Sequence, residues 1–249
     1  MKRIILLIMT RNEIDGIKEI LPRIDKELFS KVLVVDGFSN DGTVEWLEKN
    51  SVEVYRQERA GIRYGMMDGL NSIQEPYDFV ITFSPDGNSD PEALFEMCDQ
   101  INQGSSRIYY ASRYLSGGKS DDDDFITAFG NWLFTKLINL IFKGNLTDAM
   151  VIYRAFDSKI IQDLCLTEEQ SYSFFERILR TKIGWEPLMS VRAAKYKVKT
   201  KDFYANEGVR IGGERKLQVI RWGLAFFGQL LRETWYTPKL LITEPEEIS

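Results

Sequence analysis

The stretch Phe79-Val-Ile-Thr-Phe-Ser-Pro-Asp-Gly-Asn-Ser-Asp-Pro91 decides how this chain is read. Phe79 to Phe83 is β-rich, Pro85 and Gly87 close it, and a helix is expected from Pro91 to Gln103. A strand ending in such a turn presents ligands at the carboxyl edge of an open α/β sheet. Asp86 and Asn88 lie two apart, so both side-chain oxygens can face one hard cation whose other ligands would be water and diphosphate oxygens. The same residues also suit a turn that bonds only its own backbone.

Earlier in the chain, Val32-Leu-Val-Val35 runs into Asp36-Gly-Phe-Ser-Asn-Asp-Gly-Thr43 and then a helix, and two strand-to-turn sites on one sheet can share a ligand. Strand patterns at Arg3 to Met9, Val32 to Asp36, Val52 to Tyr55, Phe79 to Ser84 and Ile108 to Ala111 alternate with helical spacing at Ile14 to Asp25, Thr43 to Lys49 and Tyr64 to Gln74. This predicts an α/β fold with a mostly parallel, helix-covered sheet. With no repeats and no second core, residues 1–235 read as one domain and 236–249 as a polar, acidic, disordered tail. Ile4 to Met9 is too short for a signal peptide, so a cytoplasmic protein is expected.

The chain of 249 residues has no histidine, which removes the commonest general base and transition-metal ligand together. Ser-His-Asp hydrolysis is excluded, and carboxylates, cations and a hard metal must carry any chemistry. No Gly-x-Gly-x-x-Gly turn follows the first strand and no Walker-type loop appears, which argues against dinucleotide dehydrogenases and P-loop enzymes. A net charge of -5 argues against a nucleic-acid partner. Cys98 and Cys165 have no motif spacing and read as reduced hydrophobes.

Several motifs, in order, resemble the family 2 glycosyltransferases of the GT-A fold, in their dolichol-phosphate mannose synthase-like branch. Ile8-Met-Thr-Arg-Asn-Glu13 is similar to the family's opening strand, and Val35-Asp-Gly-Phe-Ser-Asn-Asp-Gly-Thr43 to its Asp-Asp-Gly-Ser-x-Asp-Gly-Thr, with Gly37 in place of the second Asp. Gly61-Ile-Arg-Tyr-Gly-Met-Met-Asp-Gly69 resembles the helix along the diphosphate. The turn quoted first resembles the Asp-x-Asp metal motif, with Ser84 replacing its first Asp, Asp86 on the second, and Asn88 on the assisting Gln of the mannose synthase branch. Ser112-Arg113-Tyr114, Asp148 with Arg154, Phe174-Phe-Glu176 and Arg210-Ile-Gly-Gly-Glu-Arg-Lys-Leu217 match later elements, although Glu176 is one residue out of register.

The resemblance implies an inverting, metal-dependent sugar transfer from a GDP- or UDP-linked donor, in cell-surface glycan or glycolipid synthesis. It implies Mn²⁺ or Mg²⁺ on Asp86 and Asn88, and a nucleotide held by Thr10, Asn12, Glu13, Asp36, Asp41, Arg63, Ser84 and Pro85. Asp86, Arg210 and Lys216 would face the leaving diphosphate, with Asp148 and Glu176 as candidate bases for a hydroxyl acceptor. An ionised phosphate acceptor needs no base. Replacement of two family carboxylates by Ser84 and Gly37 also suits a nucleotide-sugar-binding protein without catalysis.

The acceptor is expected near Arg113, Asp121 and Asp122. Four adjacent carboxylates, Asp121 to Asp124, sit where the mannose synthases carry basic residues, which favours a neutral glycan acceptor over a polyprenyl phosphate. Phe125 to Phe142 and Val219 to Leu231 are apolar helical stretches, each interrupted by polar residues and neither expected to span a bilayer. Trp222, Phe226, Phe227, Leu230 and Leu231 would either lie on a membrane surface, at the inner face of the membrane, or pack on the sheet or a second subunit of a homo-oligomer.

Overall fold

The computed structural model describes residues 1–115, 125–211 and 218–238. The acidic run at 121–124, Lys216 and residues 239–249 therefore lie outside the described residues.

The apolar run Ile4–Thr10 forms β1, a strand buried on both faces, as parallel strands covered by helices must be. It pairs in parallel with β2 (Lys31–Asp36) and β4 (Phe79–Phe83), while β3 (Val54–Arg56) adds to β2. Crossover helices α1 (Ile14–Ile20), α2 (Thr43–Lys49) and α3 (Ile62–Ser72) connect these strands, and α4 (Ala93–Gln103) follows β4. The helix expected from Ile14 to Asp25 breaks into a short 3-10 turn at Leu21–Arg23, where Pro22 sits.

The other half of the sheet departs from simple alternation. β5 (Ile108–Ser112) does not pair with β4, because β6 (Arg154–Asp157) inserts between them, antiparallel to both. β7 (Thr200–Tyr204) closes that edge in parallel with β5, giving the order β3-β2-β1-β4-β6-β5-β7 among the described residues. Helices α5 (Phe125–Phe142), α6 (Ile160–Asp163), α7 (Gln170–Leu179), α8 (Glu186–Lys195) and α9 (Val219–Glu233) complete the α/β fold.

α8 is buried along its length, and α5 and α9 pack on it and on each other. Residues beyond α9 remain attached: Lys195 Nζ donates to the Tyr236 carbonyl at 2.5 Å and the Tyr236 hydroxyl donates to Glu168 at 2.8 Å. The packed chain thus runs through Tyr236, one residue into the expected tail.

Candidate active site

The carboxyl ends of β1, β2 and β4 converge, and the loops leaving them are tied by side chains. Asn12 Oδ1 accepts from the Asn40 amide at 2.8 Å, and the Asn12 amide donates to Ser39 Oγ at 2.8 Å. Asp41 accepts from the Ile14 amide, the Thr43 amide and the Thr43 hydroxyl, so one carboxylate holds the first turns of both α1 and α2. Burial pushes the Asp41 carboxyl up, but these hydrogen bonds outweigh it and bring it below the usual range. Asn12 and Asp41 therefore shape the loops and line neither of the cavities described below.

Asp36 ends β2 with 3% exposure. Its Oδ2 accepts from the Ser39 amide at 3.0 Å, while its buried Oδ1 has no partner. Thr10 Oγ1, at the end of β1, is likewise buried without one. Polar atoms in such a state are costly unless a ligand satisfies them.

The turn after β4 is locked through its backbone. The Ile211 amide donates to the Asp86 carbonyl and the Gly208 amide to the Asn88 carbonyl, both at 2.7 Å, so the segment after β7 lies over the turn. Gly87 has φ 87°, and a Cβ there would strike the Ile211 side chain, so the position demands glycine twice over. Arg210 donates to Asp86 Oδ2 at 2.7 Å and to Glu13 Oε1 at 3.2 Å, joining three residues that are 197 positions apart at the extremes. Sequence reading had placed all three in one site.

The donor set at this turn fits a divalent ion of the phosphate-bridging kind. Asp86 and Asn88, 6% and 7% exposed, offer hard oxygen atoms, and no cluster of three or more acidic, histidine or cysteine ligands exists among the described residues. One carboxylate and one amide make an incomplete site that diphosphate oxygens and water would finish.

Two cavities meet at this point. The larger, about 920 Å³, is lined by Thr10, Glu13, Gly37, Phe38, Arg180 and Lys182 among others. The smaller, about 350 Å³, lies between α5 and α9, with apolar walls that include Phe134, Val151 and Phe226 and a polar end of Asp86, Asn88, Arg113 and Arg210. Glu13, Ile62, Ser84 and Trp222 line both, so Ser84, where the family motif has a carboxylate, stands at the junction. Pro85 lines neither.

Three expected site residues are structurally occupied. Arg63, 1% exposed, donates to Glu169 at 2.9 Å and Glu176 at 3.3 Å and stacks over Tyr172 at 4.0 Å, tying α3 to α7 beneath the larger cavity instead of lining it. Glu176 reaches that cavity but also accepts from Lys182 at 2.8 Å and the Ile183 amide at 3.1 Å. Its cationic partners are Arg63 and Lys182.

Asp148 is completely buried and lines neither cavity. It accepts from Arg113 at 2.6 and 3.1 Å and from Asn131 at 2.8 Å. Burial pushes the Asp148 carboxyl up, yet the Arg113 guanidinium and the Asn131 amide hold it below its usual range. Arg113, which it holds, lines the smaller cavity and also donates to Glu207 at 3.3 Å. Arg154, which shares a motif with Asp148, turns away and donates to the carbonyls of Val151 and Glu186 and to Ser190.

Sequence reading missed Phe38 and Arg180 as cavity residues. Both are non-glycine residues with left-handed backbone, φ 65° and 50°, which for Arg180 is the C-cap that ends α7 and for Phe38 lies in the loop after β2. Phe38 is half exposed at the rim of the larger cavity, where an aromatic ring suits a nucleobase. Nothing in local composition signals either conformation.

The comparisons with known proteins agree with this geometry. The family model for glycosyl transferase family 2 matches residues 5–165. The undecaprenyl-phosphate mannosyltransferase of Micrococcus luteus is 26% identical over 234 residues, covering 90% of this chain and 95% of that protein. The polyprenol monophosphomannose synthase of Mycolicibacterium smegmatis is 23% identical over 193 residues, covering 70% of this chain and 69% of that protein. Among solved structures, glucosyl-3-phosphoglycerate synthase from Mycobacterium tuberculosis, in complex with Mn²⁺, uridine diphosphate and phosphoglyceric acid, superposes with a TM-score of 0.69. That match has 15% identity and covers 96% of this chain and 80% of that one, a likeness of fold. With the motif residues of three strands gathered at one pair of cavities and a family match across most of the chain, this protein belongs to glycosyl transferase family 2 and is a glycosyltransferase.

Proposed function

We propose that the protein transfers a hexose, with inversion, from a nucleoside diphosphate sugar in the larger cavity to a polyprenyl phosphate in the smaller one. The observation that carries this reading is the smaller cavity itself, apolar along its walls and bearing the guanidinium groups of Arg113 and Arg210, each paired with carboxylates, where it meets the Asp86 turn. An isoprenoid chain suits the apolar part and a phosphate suits Arg113. The names of the Micrococcus and Mycolicibacterium relatives support the same acceptor class. The contrary expectation of a neutral glycan rested on Asp121 to Asp124, outside the described residues.

An ionised phosphate needs no general base. That agrees with Asp148 and Glu176 both being held by cations. Asp86 and Asn88 would hold Mn²⁺ or Mg²⁺, which when bound supplies positive charge to the leaving diphosphate. Arg210 balances Asp86 and Glu13 and is within reach of the same charge. Thr10, which lines the larger cavity, and Asp36, which lines neither cavity but adjoins the lining Gly37, would accept or donate the hydrogen bonds of the nucleoside, with Phe38 against its base.

Incubation with GDP-mannose or UDP-glucose, Mn²⁺ and a short-chain polyprenyl phosphate should yield sugar-phosphate lipid. Transfer to oligosaccharides with the lipid phosphate inert overturns the proposal. Asp36→Ala should weaken nucleotide and nucleotide sugar alike by about 1–3 kcal/mol, the cost of a missing buried hydrogen bond. Calorimetry that finds only sugar-donor binding impaired would place Asp36 at the sugar instead.

A further inference from the structure

We infer that Glu207 is a displaceable counter-ion of Arg113: it covers one edge of the guanidinium in the free protein, yields that edge to the phosphate monoester of the acceptor, and takes it back from the phosphodiester product. The inference rests on the polyprenyl-phosphate reading and adds a release step to it.

The two carboxylates on Arg113 are not equivalent. Asp148, fully buried, accepts from Nε at 2.6 Å and from Nη2 at 3.1 Å, the two-pronged grip that fixes a guanidinium in its plane. Asn131 and the Met150 amide hold the same carboxylate at 2.8 and 3.4 Å. Glu207 accepts from Nη1 at 3.3 Å, a longer bond, and its side chain is 14% exposed. Asp148 is therefore the permanent partner and Glu207 the exchangeable one. Arg113 and Glu207 both line the smaller cavity, so an anion entering there meets the guanidinium at the edge Glu207 covers.

The peptide around Glu207 is pinned, but its carboxylate is not what pins it. The Gly208 amide donates to the Asn88 carbonyl at 2.7 Å, the Ala205 amide donates to the Ser112 carbonyl at 3.2 Å, and Glu207 forms a backbone bridge with Ser89. The side chain can thus swing off Arg113 while the segment over the Asp86 turn stays in place.

Charge gives the swing its direction. Among the described residues the smaller cavity sets Glu13, Asp86 and Glu207 against Arg113 and Arg210, with Asp148 behind Arg113, so carboxylates outnumber guanidiniums before any phosphate arrives. A phosphate monoester carries about −1.5 to −2 charges at neutral pH and outcompetes a singly charged carboxylate for Arg113. In the transfer a phosphate oxygen attacks the anomeric carbon, the bond from that carbon to the diphosphate oxygen breaks, and the bonding pair leaves with the diphosphate. From the dianion no proton moves, and the acceptor phosphate becomes a singly charged diester. The cost of opening the Arg113–Glu207 pair is the same for both ligands, but the diester has lost the excess charge that offset it. Glu207 therefore leaves the monoester with net affinity and the diester with little, which favours exchange of product for substrate.

The test is Glu207→Gln in the full chain, which keeps the shape and removes the charge. Calorimetry with farnesyl phosphate, in the presence of Mn²⁺ and nucleoside diphosphate, should show binding at least about fivefold tighter than in the wild type, since so buried a pair is worth no less than an exposed one at its best. The KM for farnesyl phosphate and the inhibition constant of its glycosylated product should fall together by that factor, with the KM for nucleotide sugar and the thermal unfolding transition unchanged. Uncharged farnesol should bind both proteins alike, which a merely structural role for Glu207 would not predict. Glu207→Ala, which removes any bond the amide could make, should show the same gains. Farnesyl phosphate affinity that stays within about twofold of wild type or falls in both variants overturns the counter-ion, and transfer by the wild type then leaves the acceptor reading intact. Loss of transfer in a folded Glu207→Gln, without tighter phosphate binding, makes Glu207 a general base and overturns it as well. Tighter farnesyl phosphate binding in the variants, with no transfer to any polyprenyl phosphate by the wild type, upholds the counter-ion and sinks the acceptor.

Discussion

Asp86→Asn should reduce sugar transfer by about two to three orders of magnitude, the size of effect seen when one stabilising group is removed from developing transition-state charge. The argument separates the side chain from the turn. The turn is held by the backbone bonds from Ile211 and Gly208 and by the left-handed Gly87, none of which involves the carboxylate. Asn is nearly isosteric and can still accept from Arg210, so folding should be preserved and only the charge lost. Turnover measured beside thermal unfolding decides it. Turnover within tenfold of wild type, or loss of the fold, would return Asp86 to a structural turn. Nucleotide affinity with Mn²⁺ should exceed that in chelator for the wild type and approach it in the variant.

Asp148→Ala should be strongly destabilising, costing about 3–5 kcal/mol, because it removes the fully buried partner of an ion pair and leaves Arg113 with the less buried Glu207. Arg113 would lose its fully buried counter-charge and Asn131 a buried acceptor. For a chain of this size the corresponding fall in Tm is roughly 6–20 °C. Asp148→Asn, which keeps the shape, should recover part of it. The pH dependence has a definite sign. Since the folded carboxyl is held below its ordinary value of 3.8, its stabilisation is complete above that pH and is lost as the pH falls below it. A Tm for Asp148→Ala within a few degrees of wild type at pH 7 would show that Arg113 is held by other means.

Much of this site is legible in the primary structure because its parts are local. Each of β1, β2 and β4 is a continuous apolar run, and each ends in a turn whose Asn, Asp and Gly residues have their own conformational reasons to be there. Parallel strands with short crossovers must then bring those turns to one edge. Arg210 is harder, since it reaches Asp86 only through the segment laid over the turn, and the resemblance to a family motif is what pointed to it.

What local pattern could not supply is partnership across the chain. Arg63 reads as a diphosphate ligand by position, yet Glu169 and Glu176, over a hundred residues later, claim it. Asp148 pairs with Arg113, 35 residues back, and not with the nearer Arg154. β6 has only four residues, and a strand that short has no sequence signature strong enough to predict its antiparallel insertion between β4 and β5.

The chain's own pattern therefore determines the α/β class and the strands and turns that carry the candidate site, because hydrophobic period and turn chemistry act within a few residues. The tertiary structure alone decides which charges are consumed by one another and which side of an apolar helix faces outward. α9 has a wide apolar arc with Trp222 and Leu224 at its two edges, so its sequence permits either to face solvent. Packing on α7 and α8 buries the Trp222 side and leaves Ile220, Leu224 and Leu231 outside. A burial free energy that depends on area and not on identity gives no preference until the neighbouring helices are in place.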